Sequence, residues 1–282
     1  MRSLARIHWL RGRDRVLRAF ADPDRHPPEI FETDFFGLPY TGNMANFIDW
    51  TVFYYGGYSI NELRLLAALA AALRARGTAV NFFDVGANIG HHTLFMSSHA
   101  DRVFSFEPFP TVREEMQRKL RHAGVQNVAA FPVALGNRNE TASFHPPTGA
   151  NQGTGTLGDI LPDNAASESI PVQVVRGDDF FSGHNLPPIT LLKMDVEGFE
   201  EQALEGMRET LRRDRPPILM EIQPAGKTGS GQSSHLQTLL YPDHILFRVE
   251  NVRGTYRLRP ASLSQTEEAL VLPAELAGIV PG

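Results

Sequence analysis

The chain contains no cysteine among its 282 residues. Disulfide bonds, thiolate nucleophiles and zinc–thiolate sites are therefore excluded together, and the composition fits a cytoplasmic location. Long hydrophobic runs are missing as well. No apolar stretch approaches the roughly 20 residues that a membrane span needs, and no signal-peptide core follows the N-terminal arginines. We expect no stable membrane insertion.

A strong excess of one charge is also absent. The 27 basic and 32 acidic side chains give a formal net charge of −5, so there is no electrostatic reason to expect nucleic-acid binding. With 42% hydrophobic and 21% charged residues, the composition is that of an ordinary globular protein. The arginines of residues 2–18 alternate with apolar residues, which suits either a membrane-surface helix or, on base rates, a helix packed on the domain.

The most informative stretch is residues 82–93, which read Phe-Phe-Asp-Val-Gly-Ala-Asn-Ile-Gly-His-His-Thr. An apolar run that ends in an acid predicts a buried strand, and the residues after the second glycine predict a helix. Gly86 and Gly90 let the backbone turn sharply and approach a ligand, because neither carries a Cβ. We interpret this stretch as a cofactor loop at the carboxyl end of a first parallel strand.

The loop departs from the dinucleotide-binding pattern. Asn88 stands where a G-x-G-x-x-G motif has its second glycine, and a Cβ there obstructs a diphosphate. Asp84 precedes the glycines, as in the first motif of S-adenosylmethionine (SAM) dependent methyltransferases. Glu107 ends a second predicted strand 23 residues after Asp84, near the offset of the acid that binds ribose hydroxyls. SAM is the predicted cofactor, and an NAD-dependent oxidoreductase is the less favoured alternative.

Strands that alternate with helices between residues 79 and 222 predict an α/β fold with a mostly parallel sheet and helices on both faces. The predicted strands are 79–85, 102–106, 128–133, 190–195 and 218–222, and an antiparallel C-terminal hairpin of 245–249 and 256–258 completes a seven-stranded sheet. Residues 136–181 form a predicted insertion that would serve as a substrate lid. The predicted divisions are an arm with a short hairpin and a helix (1–78), the cofactor-binding domain (79–273) and a loose tail (274–282).

Four acids lie at predicted strand ends, where ligands bind in such sheets: Asp84, Glu107, Asp195 and Glu221. Three segments in order resemble the FkbM-type methyltransferases: 84–90 (Asp-Val-Gly-Ala-Asn-Ile-Gly), 106–108 (Phe-Glu-Pro) and 192–200 (Leu-Lys-Met-Asp-Val-Glu-Gly-Phe-Glu). The likeness covers roughly residues 31–260. It implies a class I methyltransferase fold, similar to a Rossmann fold, and methylation of a hydroxyl on a sugar or a polyketide-type small molecule.

The resemblance also implies roles for individual residues. Gly86, Ala87 and Gly90 would lie under the methionine part of SAM, and Glu107 would bind the ribose hydroxyls. Asp84 would orient the amino end of the cofactor or the loop itself. The other residues expected at the cofactor are Asn88, Thr93, Pro108, Val133, Ala134, Leu135 and Asp195.

Methylation of a hydroxyl requires a group that takes its proton. Asp195 and Glu197 are the first candidates, and His91 with its neighbour His92 is the second. Glu197 would equally serve as a cap for a helix that begins near Phe199. These two acids would also suit a divalent cation, but nothing else in the sequence completes a metal site, so none is predicted.

Other functions stay open at this point. A catalytically silent SAM-binding protein would have the same loop. The aromatic-rich segment 46–58 would cover the cofactor, seal the core or form a homodimer surface.

Overall fold

The computed structural model describes Leu17 and residues 21–147, 155–157, 168–222, 232–252, 255–262 and 268–279. The arginine-rich arm, much of the turn-rich segment after Pro146 and the Arg253-Gly254 turn therefore lie outside the described residues. Within these ranges, no helix is long and apolar enough to cross a membrane.

The described secondary structure consists of fourteen strands and eight α-helices. The strands are β1 (Ile30–Phe35), β2 (Leu38–Asn43), β3 (Asn81–Val85), β4 (Arg102–Phe106), β5 (Val128–Phe131), β6 (Ala134–Gly136), β7 (Glu140–His145), β8 (Thr156–Leu157), β9 (Ile170–Arg176), β10 (Leu191–Met194), β11 (Ile218–Glu221), β12 (His244–Val252), β13 (Thr255–Pro260) and β14 (Glu268–Pro273). The helices are α1 (Phe47–Tyr55), α2 (Ile60–Ala75), α3 (His91–Met96), α4 (Pro110–His122), α5 (Gly177–Gly183), α6 (Glu200–Gly206), α7 (Arg208–Asp214) and α8 (Gln232–Leu239).

The main sheet has the strand order β13-β12-β14-β11-β10-β3-β4-β5. Strands β11, β10, β3, β4 and β5 pair in parallel. Strand β14 pairs antiparallel with both β11 and β12, and β12 forms the predicted hairpin with β13. The α/β fold with a mostly parallel sheet is confirmed. The number of strands was wrong, because the buried run Ala269–Leu272 in β14 makes eight strands where the sequence analysis found seven.

Successive residues of β3 point to opposite faces of the sheet, and each face carries its own core. Phe82 packs in a cluster with apolar residues of α2, α3 and α4. Phe83 packs in a second cluster with apolar residues of α5, α6, α7 and α8. All five residues of β3 are buried, as its apolar sequence predicts. The helices therefore cover both faces, which leaves the strand ends as the edge open to ligands.

A second sheet of four strands in the order β6-β9-β7-β8 begins at Ala134, two residues before the predicted insertion, and continues through it. The third strand of the main sheet was predicted to reach Val133, but it ends at Phe131, and residues 134–136 belong to the small sheet instead. The sequence also predicts a strand over residues 170–175 within the insertion, and β9 is found there. The lid function of this region stays a prediction.

Three further boundaries differ from the predictions. The spacing of apolar residues predicts one helix over residues 199–212, and the structure divides it into α6 and α7 at Met207. Gly206, next to this division, packs so tightly against Gly136 that a Cβ would lie 1.7 Å from the Gly136 carbonyl oxygen. The sequence predicts Asn61 as the N-cap of helix α2, but the N-cap is Ser59, two residues earlier. The predicted loose tail forms a 3-10 helix over residues 274–279, and Ile279 is buried.

The N-terminal hairpin β1–β2 and helix α1 are joined to the main domain by a buried ion pair. Asp49 is fully buried, and its Oδ1 accepts hydrogen bonds from Lys119 Nζ at 2.7 Å and from the Tyr40 hydroxyl at 2.5 Å. Lys119 lies on α4, the helix that follows the Glu107 segment. This pair fixes the aromatic segment of α1 beside the cofactor loop.

Candidate active site

The glycine loop between β3 and α3 packs tightly against neighbouring protein. Gly86 has a φ of +82°, and a Cβ there would lie 1.8 Å from the carbonyl oxygen of Asp195. At Gly90, with a φ of +80°, a Cβ would lie 2.4 Å from Met116 Cγ. Both glycines are therefore required by packing within the protein. The close approach of a ligand, which the sequence predicts for the same two glycines, is a separate reason for glycine at these positions and stays a prediction.

Asp84 and Glu107, the acids at the carboxyl ends of β3 and β4, have different environments. Glu107 lines a cavity at this edge of the sheet. Its Oε2 accepts the Asn88 backbone N–H and its Oε1 accepts the Phe109 N–H, both at 2.8 Å. The side chain is almost completely buried. Burial raises the pKa of Glu107 to about 7, and the two backbone donors offset only part of this effect.

Asp84 lies under the loop. It is fully buried, and its Oδ2 accepts a hydrogen bond of 2.6 Å from the Thr93 hydroxyl, which in turn lies 2.7 Å from Ser105 Oγ. Asp84 Oδ1 has no hydrogen-bond partner among the described residues. Neither Asp84 nor Thr93 lines the main cavity. These contacts favour the role in which Asp84 holds the loop itself.

A cavity of about 1020 Å³, open to solvent at its mouth, lies at the carboxyl ends of β3, β4 and β10. It brings together most of the residues expected at a cofactor. Those that line it are Gly86, Ala87, Asn88, Glu107, Pro108, Ala134, Leu135 and Asp195, and the four candidate bases His91, His92, Asp195 and Glu197 line it too. Asp84, Gly90, Thr93 and Val133 do not line it. Val133 is packed in the core next to the cavity wall.

One end of this cavity is apolar, and the sequence analysis did not predict the residues that form it. Phe109 and Phe144 lie there with ring centroids 5.0 Å apart, beside Val112 and Leu157. Phe144 and Leu157 are paired residues of β7 and β8, so the small sheet forms part of the wall. Aromatic and aliphatic surfaces of this kind suit a planar heterocycle.

The other end is polar and is built around a buried lysine. Lys193 Nζ lies 3.2 Å from Asp195 Oδ2, and the Lys193 side chain is 5% exposed. Burial alone would lower the pKa of Lys193, but the carboxylates of Asp195, Asp84 and Glu62 outweigh it and hold that pKa well above its usual range. Burial would likewise raise the pKa of Asp195, yet the Lys193 cation keeps that pKa below its ordinary value. The pair therefore stays ionised.

Glu221 completes the polar end. It ends β11, which pairs in parallel with β10 with Met220 opposite Met194, so Glu221 and Asp195 follow neighbouring strands at the same edge of the sheet. Partial burial, and then the negative charges of Asp195 and Glu197, raise the pKa of Glu221 to about 8. Sequence reasoning noted Glu221 only as an acid at a strand end and overlooked Lys193. Both have a recognisable position in the sequence: Lys193 lies in the Lys-Met-Asp-Val-Glu run, and Glu221 lies at the end of the next strand.

The histidines after the glycine loop are buried, and they differ in their contacts. His91 Nε2 lies 2.9 Å from the Tyr58 carbonyl oxygen, and burial holds the pKa of His91 well below its usual range. The Tyr58 backbone N also lies 3.3 Å from Nε2, and the shorter contact to the carbonyl oxygen favours the tautomer that carries its proton on Nε2; Nδ1 has no partner among the described residues. His92 Nε2 lies 3.3 Å from a carboxylate oxygen of Glu62. His91 is thus the histidine with an available acceptor nitrogen.

The region around Glu197 shows how α6 begins. Glu197 has a φ of +52° in the turn before the helix. The carboxylate of Glu200 accepts the Gly198 N–H at 3.1 Å, so an acid inside the helix binds the backbone of this turn. Among the described residues, no cluster of three or more His, Asp or Glu side chains has the arrangement to hold a metal ion.

Comparison with known proteins places the chain in a family. The model of the methyltransferase FkbM domain matches residues 84–249. The chain is 29% identical over 130 residues to the hexuronic acid methyltransferase AglP of Haloferax volcanii (46% of this chain, 51% of that protein). It is 30% identical over 145 residues to the 2-O-methyltransferase NoeI of Sinorhizobium fredii (47% and 59%). It is also 30% identical over 161 residues to the 31-O-demethyl-FK506 methyltransferase FkbM of Streptomyces tacrolimicus (45% and 59%).

The chain thus spans between one half and three fifths of the length of these curated relatives. The family match has a wider reach on this chain, because it extends from Asp84 at the end of β3 to Val249 in β12 and so includes the whole glycine loop, Glu107 and the Lys193–Asp195 pair. It covers more than half of the residues, and the chain therefore belongs to the FkbM methyltransferase family.

Proposed function

We propose that this protein is a SAM-dependent O-methyltransferase that acts on a hydroxyl group of a small molecule, of the sugar or polyketide type. The observation that carries the proposal is the shared cavity, in which the glycine loop and Glu107 lie opposite Asp195. The relatives include a hexuronic acid methyltransferase and two O-methyltransferases, which supports the same reaction class.

The residues present fit the cofactor. Each oxygen of Glu107 accepts one backbone N–H and keeps a second lone pair, so the carboxylate has capacity for two ribose hydroxyls. The backbone of Gly86 and Ala87 would lie under the methionine part, and the apolar end with Phe109 and Phe144 would hold the adenine. SAM supplies a methyl group that its sulfonium charge activates for transfer.

The protein's part in the transfer is to align the acceptor, exclude water and take a proton. Asp195 is our first candidate for the base, because Lys193 keeps it ionised and it lines the cavity beside the glycine loop. His91 is the second candidate, through its unpartnered Nδ1. Glu197 is the third, since it lines the same cavity. A cytoplasmic location and a homodimer through the aromatic segment stay predictions from the sequence.

Titration calorimetry with S-adenosylhomocysteine (SAH), and separately with NAD, tests the cofactor assignment. We expect SAH alone to bind, and Glu107→Ala to weaken its binding by at least about tenfold, since the variant loses two charge-assisted hydrogen bonds. Glu114→Ala, on the exposed face of α4, is the matched control and should bind SAH as the native protein does. Binding of NAD, or no effect of Glu107→Ala, would refute the assignment.

A further inference from the structure

The chain at residues 155–157, which contains the short strand β8, lies directly on the ring of Phe144. A Cβ on Gly155 would lie 2.2 Å from Phe144 Cζ, and 2.9 Å and 3.0 Å from two further ring atoms. Backbone and ring are therefore in contact, and only glycine leaves room for both. Phe144 and Leu157 are register partners in the antiparallel pair of β7 and β8, so their side chains lie on the same face. All three residues line the main cavity.

These contacts continue to the acid proposed for the ribose hydroxyls. The ring centroids of Phe144 and Phe109 lie 5.0 Å apart, and the Phe109 N–H donates to Glu107 Oε1 at 2.8 Å. Phe109 is also the N-cap residue of α4, so the start of that helix fixes its backbone. A continuous series of contacts therefore runs from Gly155 through the two rings to Glu107. A shift of Phe144 would change the cavity wall next to this carboxylate.

The small sheet reaches only the apolar end of the main cavity. A second cavity of about 660 Å³ adjoins the polar end and shares Tyr58, Lys193, Asp195 and Glu221 with the main cavity. Its other walls come from α2, β10, β11 and β14, and within the described ranges no residue of the small sheet lines it. Asp195, the first candidate for the base, thus lies where the two cavities meet. We expect the acceptor hydroxyl at this end, on the opposite side from residues 155–157.

We propose that residues 155–157 are part of the cofactor site: they form the outer wall of the adenine pocket, and Gly155 is a positioning residue that keeps Phe144 in place beside the base. The inference rests on the function proposed above. Adenine has two apolar faces, which favour contact with aromatic and aliphatic side chains. The proposal assigns this part of the small sheet to the cofactor, whereas the sequence analysis expected the region to be a lid for the substrate.

Titration calorimetry of the full chain with SAH tests the proposal, and it needs no knowledge of the acceptor. Gly155→Ala should weaken SAH binding by about five- to fiftyfold, because the new Cβ displaces the Phe144 ring, and aromatic contacts with a base contribute affinity of this order. Leu157→Ala removes part of the wall without crowding Phe144 and should weaken binding by about three- to tenfold. Leu157 is only partly buried, so this variant decides the question if Gly155→Ala does not fold.

Gly183→Ala is the matched control, because a Cβ at this exposed end of α5 would have nothing within 4 Å. It should bind SAH as the native protein does. The double variant Gly155→Ala/Phe144→Leu tests whether the ring is the link. Phe144→Leu removes the ring atoms that the new Cβ would crowd, so the double variant should bind SAH no more weakly than Phe144→Leu alone.

Two outcomes would overturn the proposal. The first is native-like SAH binding by both Gly155→Ala and Leu157→Ala, which is the result expected of a lid that contacts only the acceptor. The second is a double variant whose loss equals the product of the two single losses, because Gly155 would then act independently of Phe144. Both outcomes leave the proposed function intact as long as the native protein binds SAH. Failure of the native protein to bind SAH refutes the proposed function instead.

Discussion

Replacement of Glu107 by glutamine is expected to favour the folded state increasingly as the pH rises. Burial raises the pKa of Glu107 from its ordinary value of 4.5 to about 7. A group with a raised pKa contributes stability that is fully present below pH 4.5 and is lost as the pH rises through about 7. At about 1.4 kcal/mol per pH unit, the complete loss amounts to about 3.4 kcal/mol. Because the side chain is only 7% exposed, solvent screens little of this effect.

Glutamine removes the titration and introduces a cost that does not depend on pH. Its amide group cannot accept both the Asn88 and the Phe109 N–H, so one buried donor loses its partner at a cost of about 1–3 kcal/mol. The informative quantity is therefore the change of the difference between variant and native protein with pH. Between pH 5.5 and pH 8, we expect that difference to move by about 2 kcal/mol in favour of Glu107→Gln.

Urea unfolding of the ligand-free protein, followed by fluorescence at both pH values, gives the two free energies of unfolding. Glu114→Gln is the control for a general effect of charge removal, because Glu114 is exposed on α4. A difference between Glu107→Gln and the native protein that stays constant from pH 5.5 to pH 8 would show that the carboxyl group does not have a raised pKa in the folded state. The electrostatic description of the site would then be wrong.

Three other predictions follow from the same contacts. Gly86→Ala should lose several kcal/mol of stability in thermal unfolding and should lose SAH binding, whereas Gly77→Ala, with a φ of +79° and nothing within 4 Å of its Cβ, should lose only about 1 kcal/mol; equal losses would contradict the packing argument. Asp49→Asn removes one of the two carboxylate partners of the buried Lys119 charge, the other being Glu115 at 3.0 Å, and should cost about 1–3 kcal/mol in urea unfolding; an unchanged free energy of unfolding would refute the role of Asp49. The SAH dissociation constant should fall by up to about tenfold from pH 6 to pH 8 as Glu107 ionises, and the glutamine variant should show a flat profile in the same calorimetric series.

Local sequence patterns were sufficient to predict the strands and the helix that position the cofactor loop. Strand β3 contains the apolar residues Phe82, Phe83 and Val85, and Asp84 and Glu107 lie at the carboxyl ends of two neighbouring parallel strands, so their arrangement follows from rules of sheet geometry. The run Ala269–Leu272 has the same apolar character and is buried in β14, yet it is short and follows a polar segment. Its identity as a strand depends on the gap between β11 and β12, which no local pattern reveals.

The walls of the site were less accessible to sequence reasoning. Phe144 reaches the cavity because β7 folds back in the small sheet, and its contact is with Phe109, the residue that precedes helix α4 on the main domain. Lys193 lies in a strand that is otherwise apolar, and its charge is explained only when Asp195 and Glu62 are seen around it. In both cases the function of a residue depends on neighbours that are distant in the sequence.

Strand β14 enters the main sheet between β11 and β12, both of which precede it in the chain. Until residues 268–273 arrive, each of these strands exposes a row of unpaired backbone groups, which is the feature that promotes association between chains. The contacts that close this gap join Ile218 to Val271, more than fifty residues apart, and such distant pairings form slowly. The nascent protein is therefore most vulnerable to aggregation in the interval before β14 docks, after most of the SAM-proximal sheet has already formed.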